Sequence, residues 1–270
     1  MSLFKLVAFL LFPQIAFAAS DSSSSFTFNG FSPFTFKTYS NSSAFSFSTY
    51  FVFAIVPDFQ PLGGHGMAFV IAPTRGLPGS LPSTYLGLFN ESNNGIASNH
   101  IVAVELDTLK SSEFNDINDN HVGIDITGLE SVLAKPTAYY DEKTGSFQNL
   151  TLNSGHSMQV WIEYDGPSQL FNVTLAPLND GKPSIPLLSL RYDLSPIIDY
   201  VCRISAAPLL SSIVLGWSFN INGVAQPLDL SQLPSSLELG QRSNPRLDSW
   251  FACDFHRFFT VSFSLCSLLC

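Results

Sequence analysis

Hydrophobic and polar positions alternate along most of this chain. Between Phe45 and Phe53, Phe45, Phe47, Phe51 and Phe53 recur at odd positions, with Ser46 and Ser48 between them. The same period of two marks residues 66–71, 101–109, 121–126, 159–164 and 170–175. A side chain that changes face at every residue predicts strands that bury one surface. Asp165, Gly166 and Pro167 interrupt the pattern between the last two segments and predict a hairpin. No segment of useful length carries the 3.6-residue period of a helix. With 25 Phe to fill an interior and frequent Gly, Pro and Asn breaks, the pattern predicts an all-β sandwich or jelly roll without an internal repeat. Roughly 250 residues are enough for one large all-β domain.

The ends depart from this pattern. Lys5, the apolar run 6–17 and the small residues Ala16, Ala18 and Ala19 read as a secretory signal peptide over residues 1–19. The apolar run is too short to cross a bilayer. Residues 20–234 then form the domain. Past Pro234 the alternation decays into a Ser-rich tail, 235–270, which closes on the apolar run 258–270. A removed lipid-anchor signal shares that composition, but an irregular tail is the simpler reading. Four N-x-S/T sequons, at Asn41, Asn90, Asn149 and Asn172, agree with a secreted, apoplastic or surface-associated glycoprotein. The cysteines are Cys202, Cys253, Cys266 and Cys270, so the body of the domain carries no disulfide framework.

Charge narrows the partners. A net charge of -9 with only 12 Lys and Arg argues against nucleic acid and against an anionic membrane surface, both of which require a basic face.

The richest chemistry lies in residues 101–125. Alternation puts Glu105, Asp107 and Leu109 on one strand face, and two like charges so close together are stable when a cation sits beside them. The following Asn-, Asp- and Ser-rich loop can return Asp116 and the Leu109 carbonyl to the same place, as a hard cation requires. His121 opens the next strand, and its imidazole suits a transition metal. The spacing thus admits a two-metal site with shared carboxylates; a solvated acidic turn fits it as well.

With these segments placed, the chain resembles the legume-type (L-type) lectins, most closely the ectodomain of plant lectin receptor kinases. The resemblance is carried by Phe26–Phe31 (Phe-Thr-Phe-Asn-Gly-Phe), residues 64–73, 85–90, 102–108 and 118–125, and the run around Trp217 with Asn222 and Gly223. It implies a concanavalin-like jelly roll that binds carbohydrate through calcium, with a manganese-type ion ordering the loop. It further implies that Glu105, Asp107, Asp116 and His121 are the transition-metal ligands, and that Asp107, the Leu109 carbonyl and Asp116 hold calcium. Sugar-binding members use an Asp, a Gly and an Asn from three loops; the matching positions here are His65, Thr84 and Ser111. An Asp carboxylate accepts two hydrogen bonds, whereas a neutral imidazole offers one donor and one acceptor. Ser111 likewise withdraws a side-chain carbonyl from the calcium site.

Other departures concern the frame. Only residues 32–44 separate the Phe-Asn-Gly-Phe opening from the segment at Phe45, which predicts missing N-terminal strands with exposed apolar faces and unpaired edges. Residues 201–208 stand where the family has a late glycine-rich loop, so sugar specificity does not transfer. No transmembrane or kinase motif follows Pro234, as expected of an ectodomain-only form.

The expected function is a secreted, non-catalytic lectin-like module that recognises a glycan or another extracellular ligand, alone or as a homo-oligomer. Two alternatives differ in class. A jelly-roll glycoside hydrolase would place Glu-x-Asp-x-Glu on one strand, but Leu109 replaces the third acid. A structural module would use the metals only to brace its loop.

Overall fold

The computed structural model describes residues 25–29, 36–39, 45–57, 65–73, 79–198, 201–208 and 212–234. The expected signal peptide, the 235–270 tail, Asn41, Cys253, Cys266 and Cys270 lie outside the described residues.

Alternating apolar side chains produce two stacked six-stranded sheets, and every pairing is antiparallel. The first sheet orders β1 (Ser25–Asn29), β14 (Ser212–Ile221), β3 (Phe47–Ile55), β10 (Met158–Asp165), β11 (Leu170–Pro177) and β12 (Leu188–Arg191). The second orders β2 (Phe36–Tyr39), β13 (Val201–Pro208), β4 (Met67–Ala72), β5 (Val102–Asp107), β6 (His121–Ile126) and β7 (Leu133–Pro136). A separate ribbon pairs β8 (Ala138–Asp141) with β9 (Ser146–Asn149). The described helical residues form only three-residue 3-10 turns.

The main core lies between the sheets. Phe51 and Phe53 of β3, Phe69 of β4, Val104 and Leu106 of β5, and Phe171 of β11 meet there, and burial of such side chains is the main stabilising term, about 2–3 kcal/mol each. A bulge between Val214 and Gly216 resets the alternation of β14, so that Val214 and Trp217 both reach this core. Trp217 stands edge-on to Phe26 and Phe69, and its indole N–H donates to Thr49 Oγ1 at 2.7 Å. That bond satisfies the polar end of a buried ring.

Each sheet also has an outer face. On the second sheet the loop carrying Tyr85, Leu86, Leu88 and Phe89 lies over Ala68 and Ala103; the small side chains let a chain segment settle close to the strands. On the first sheet Ala225 and Leu228 cover Tyr50, Val52 and Leu215, with Leu233 packed beside them.

Two expectations about the frame change. The short 32–44 interval still supplies an edge strand, β2, and the N-terminal segment supplies β1, so N-terminal strands flank both sheets. Residues 201–208 are not a loop: β13 pairs with β4 on one side and β2 on the other, completing backbone hydrogen bonds that β4 would otherwise leave open.

Candidate metal and ligand site

The site grows from the register of β5 against β6. Asp107 lies opposite His121, Glu105 opposite Gly123, and Ala103 opposite Asp125. Since Val104 and Leu106 point into the main core, strand alternation turns Glu105 and Asp107 to the outer face of the second sheet. One ligand atom from each of Glu105, Asp107 and His121 lies within 4.8 Å of the others, and all three residues are buried. Gly123 makes this possible: a Cβ there would strike Ser131 Oγ and come within 2.5 Å of Glu105 Oε1.

The hydrogen bonds of His121 define what the cluster can hold. Nδ1 lies 2.8 Å from the Asn118 carbonyl oxygen, which only accepts, so Nδ1 carries a proton. Nε2 then lies 3.1 Å from Glu105 Oε1, an arrangement that needs a proton on Nε2 or on the Glu105 carboxyl, or a cation beside both atoms. Burial opposes charge on His121, but the hydrogen bond and charge of Glu105 outweigh it and raise its pKa. Burial also lifts the Asp107 carboxyl from 3.8 to about 7. Protons therefore stand in for positive charge, and the two carboxylates and one imidazole fit a divalent cation that takes mixed oxygen and nitrogen ligands.

Behind them sits Asp125, which is fully buried. Its Oδ1 is 2.6 Å from Ser131 Oγ, which is also 2.8 Å from Glu105 Oε1. One hydroxyl proton cannot serve both acceptors, and Asp125 Oδ2 has no hydrogen-bond partner. Burial, followed by the charge of Glu105, raises the pKa of Asp125 well above the usual carboxylate range.

The loop after β5 is organised by its own acids. Asp107 Oδ1 accepts from the Leu109 N–H at 2.6 Å, and Asp116 Oδ2 accepts from the Ser111 N–H at 2.5 Å. Burial raises the pKa of Asp116. Asp116 is thus close enough to affect Asp107 electrostatically, yet its carboxylate is not one of the three that converge. The Leu109 side chain is exposed, and Ser111 is buried with its backbone committed to the turn.

Beside this loop lies His65. Met67 pairs with Leu106, and a Cβ on Gly66 would collide with the Leu106 carbonyl, so residues 65–66 abut the end of β5. His65 Nε2 is 2.7 Å from Ser83 Oγ, and burial lowers the pKa of its ring. Thr84 follows Ser83 in a half-buried turn. Tyr85, next in line, donates from its hydroxyl to Glu113 Oε1 at 2.9 Å and meets Phe114 edge-on. His65, Thr84 and Ser111 thus come from three loops, of which two are joined through Tyr85.

Ser83, Tyr85, Glu113, Asp125 and Ser131 escaped the sequence reading. Asp125 shares the period of two with His121 and Gly123 and was therefore legible. The others carry no local signal, because their partners are between 6 and 28 residues away.

The sequon residues are spread out. Asn149 is exposed at the end of β9, and Asn172 is half-buried within β11. Asn90 is engaged in a turn, its Nδ2 donating to the Gly79 carbonyl.

Comparison with known proteins agrees with this architecture. The legume lectin domain model matches residues 16–235. The L-type lectin-domain containing receptor kinase V.9 of Arabidopsis thaliana is 51% identical over 208 residues, which is 75% of this chain and 31% of the relative. The receptor kinase SIT2 of Oryza sativa subsp. japonica is 49% identical over 210 residues, 76% of this chain and 31% of the relative. The chain therefore spans about a third of the length of these curated relatives. Among solved structures, lectin UEA-II complexed with galactose superimposes with a TM-score of 0.53 at 23% identity, covering 75% of this chain and all of that one. On the extent of the domain match and the identity to these ectodomains, the chain belongs to the legume lectin family.

Proposed function

We propose that this chain is an extracellular carbohydrate-recognition module whose loop after β5 is braced by metal and whose monosaccharide site has been altered. The single observation that carries the reading is the convergence of Glu105, Asp107 and His121 on the outer face of the second sheet, beside His65. Legume lectin domains are non-enzymatic, and Leu109 in place of a third acid gives no support to a hydrolase. In this reading Glu105, Asp107, Asp116 and His121 hold a manganese-type ion, while Asp107, the Leu109 carbonyl and Asp116 hold calcium. The metals, when bound, supply positive charge that keeps buried carboxylates ionised and the loop ordered.

The chain's own residues determine the rest. Asp107 and Asp116 draw the Leu109 and Ser111 amides inward, which sets the path of the loop. His65, Thr84 and Ser111 provide neutral contacts where sugar-binding relatives use an Asp, a Gly and an Asn. A neutral site asks for a different pattern of sugar hydroxyls from the one a carboxylate selects. Extracellular placement is supported by the receptor-kinase ectodomains to which the chain is similar, and Asn41, Asn90, Asn149 and Asn172 are the proposed glycan acceptors. The partner is a glycan or another extracellular ligand, with homo-oligomers within the family's range.

A glycan array probed with the protein before and after chelation tests this reading. Binding that is lost with chelator and restored by calcium and manganese supports it; no binding in either state removes the carbohydrate claim. In that event the metals brace a structural module, a reading favoured by the engagement of His65 Nε2 with Ser83.

A further inference from the structure

We propose that Phe147, exposed on the β8–β9 ribbon, is a docking platform for the chain's own glycan: the first N-acetylglucosamine on Asn149 lies with one face of its pyranose ring against the phenyl ring. The inference rests on the reading of Asn149 as a glycan acceptor and adds where that sugar sits.

Strand alternation places the groups. Phe147 and Asn149 are two residues apart on β9, so their side chains leave the same face about 7 Å from each other. Tyr140, directly opposite Phe147 on β8, shares that face and meets it with ring centroids 5.5 Å apart at 71°. The other face of β9 is engaged with itself, since Gln148 Nε2 lies 3.0 Å from Ser146 Oγ and 3.1 Å from Thr144 Oγ1. Phe147 nevertheless stays 44% exposed. A single exposed ring is ordinary on a protein surface. One that stands beside a sequon asparagine on a fixed backbone has an occupant within reach.

That backbone is held on both sides of Asn149. Asn149 pairs with Ala138, the Leu150 N–H donates to the Thr137 carbonyl at 3.0 Å, and the Leu150 carbonyl accepts from Asn120 Nδ2 at 2.7 Å. The Asn149 side chain itself makes no hydrogen bond among the described residues, and Thr151 of its sequon is exposed. The other described sequons differ. Asn90 donates to the Gly79 carbonyl and accepts from the Ser92 and Asn93 amides, whereas Asn172 is half-buried and Thr174 of its sequon is buried. Asn149 alone among them combines an unengaged amide, an exposed threonine and an exposed ring on its own strand face.

The chemistry suits this pairing. In glycosylation Asn149 Nδ2 bonds to C1 of N-acetylglucosamine, the C1–O bond to a lipid pyrophosphate donor breaks, and the amide gives up one proton. The sugar is then tethered at that nitrogen. Its ring faces carry C–H groups whose partial positive charge meets the negative face of an aromatic ring, and the contact removes apolar surface of Phe147 from water. Among the described residues β9 pairs only with β8, so a sugar held there also hinders strand addition at the open edge.

The test uses protein secreted by a host that adds high-mannose glycans and trimmed by endoglycosidase to one N-acetylglucosamine per site. Thr151→Ala removes the sequon but leaves Asn149 and Phe147. Phe147→Thr removes the ring but keeps the sequon and the strand preference, and the double variant closes the cycle. In the wild type, the ring protons of the sugar that Thr151→Ala lacks should resonate upfield of free N-acetylglucosamine, and they should return to the free positions in Phe147→Thr. Trimmed wild type should melt about 2–4 °C above Thr151→Ala, the scale of one aromatic contact in a domain of this size. That gap should close on the Phe147→Thr background. Unshifted sugar protons, or a gap that survives loss of the ring, overturns the platform and leaves the acceptor assignment standing. Peptide mapping that finds Asn149 unmodified in the wild type overturns both.

Discussion

Asp107 and His121 face each other directly across the β5–β6 ladder, so the acid that ends one strand and the imidazole that begins the next share one buried space. With the Nδ1 proton committed to Asn118, His121 presents Nε2 toward Glu105. Three polar groups are thereby gathered where water is scarce, and they cannot satisfy one another without added positive charge.

Metal loading should therefore stabilise the fold. In thermal melts, calcium and manganese added at about 100 times their dissociation constants should each contribute about 2.7 kcal/mol, which for a domain of this size is a rise on the order of 5–10 °C per ion. Equal melting temperatures with chelator and with both ions would show that this cluster holds no metal.

The metal-free protein should lose stability as pH rises. Burial lifts Asp107 from 3.8 to about 7, so between those values the folded state keeps a proton that the unfolded chain has released. This contribution is fully present below pH 3.8 and is lost as pH rises through about 7. His121, raised by Glu105 against the effect of burial, changes stability in the same direction, its contribution being lost as pH climbs above 6.5. Melts in chelator should fall between pH 5 and pH 8, and saturating metal should flatten or reverse the slope. A metal-free protein that gained stability over this interval would contradict the protonated cluster.

Gly123→Ala should abolish metal binding before it abolishes folding. The added methyl would meet Ser131 Oγ and Glu105 Oε1, displacing the carboxylate, and crowding of this kind costs about 1–3 kcal/mol. Isothermal titration with manganese reads the first effect, and a chemical melt reads the second. Retained manganese affinity would mean that Glu105 is not a ligand.

Thr49→Val should destabilise the main core by about 1–3 kcal/mol, the usual cost of a buried donor left without an acceptor. The shape is nearly conserved, but the Trp217 indole N–H loses its acceptor at Thr49 Oγ1. Urea unfolding followed by tryptophan fluorescence measures it, and a change below a few tenths of a kcal/mol would show that the indole finds another partner.

Among the sequons, Asn149 should carry glycan at higher occupancy than Asn172. Asn149 is exposed on β9, whereas Asn172 is half-buried with its Oδ1 out of solvent and unpaired, and Thr174 of its sequon is buried. Peptide mapping of secreted protein with and without glycosidase would decide it; occupancy at Asn172 equal to that at Asn149 would overturn the ranking.

How much of this was legible in the sequence follows from the range of each interaction. β3, β4, β5, β6, β10 and β11 follow from apolar alternation, because period-two patterning is local; that β3, β4 and β5 are buried on both faces depends on covering loops distant in sequence and was not legible. Glu105, Asp107 and His121 were legible for the same reason, since strand parity places the carboxylates and a short loop returns the imidazole. The ribbon of β8 and β9 was not: most of its side chains are exposed or half-buried, so no hydrophobic alternation marks it. β13 was misread as a loop, because its place between β4 and β2 depends on partners far away in sequence. Ser83 was invisible as well, since its left-handed backbone is imposed by packing and not by a glycine.

The short segment bearing Ala225, Leu228 and Leu233 rests on the outer face of the first sheet, whereas Glu105, Asp107 and His65 belong to the second. The metal loop and this cover thus lie on opposite outer faces of the sandwich. A ligand bound beside His65 would meet the second sheet alone, so a change in the 225–233 cover acts on the stability of the first sheet without touching the groups that meet the ligand.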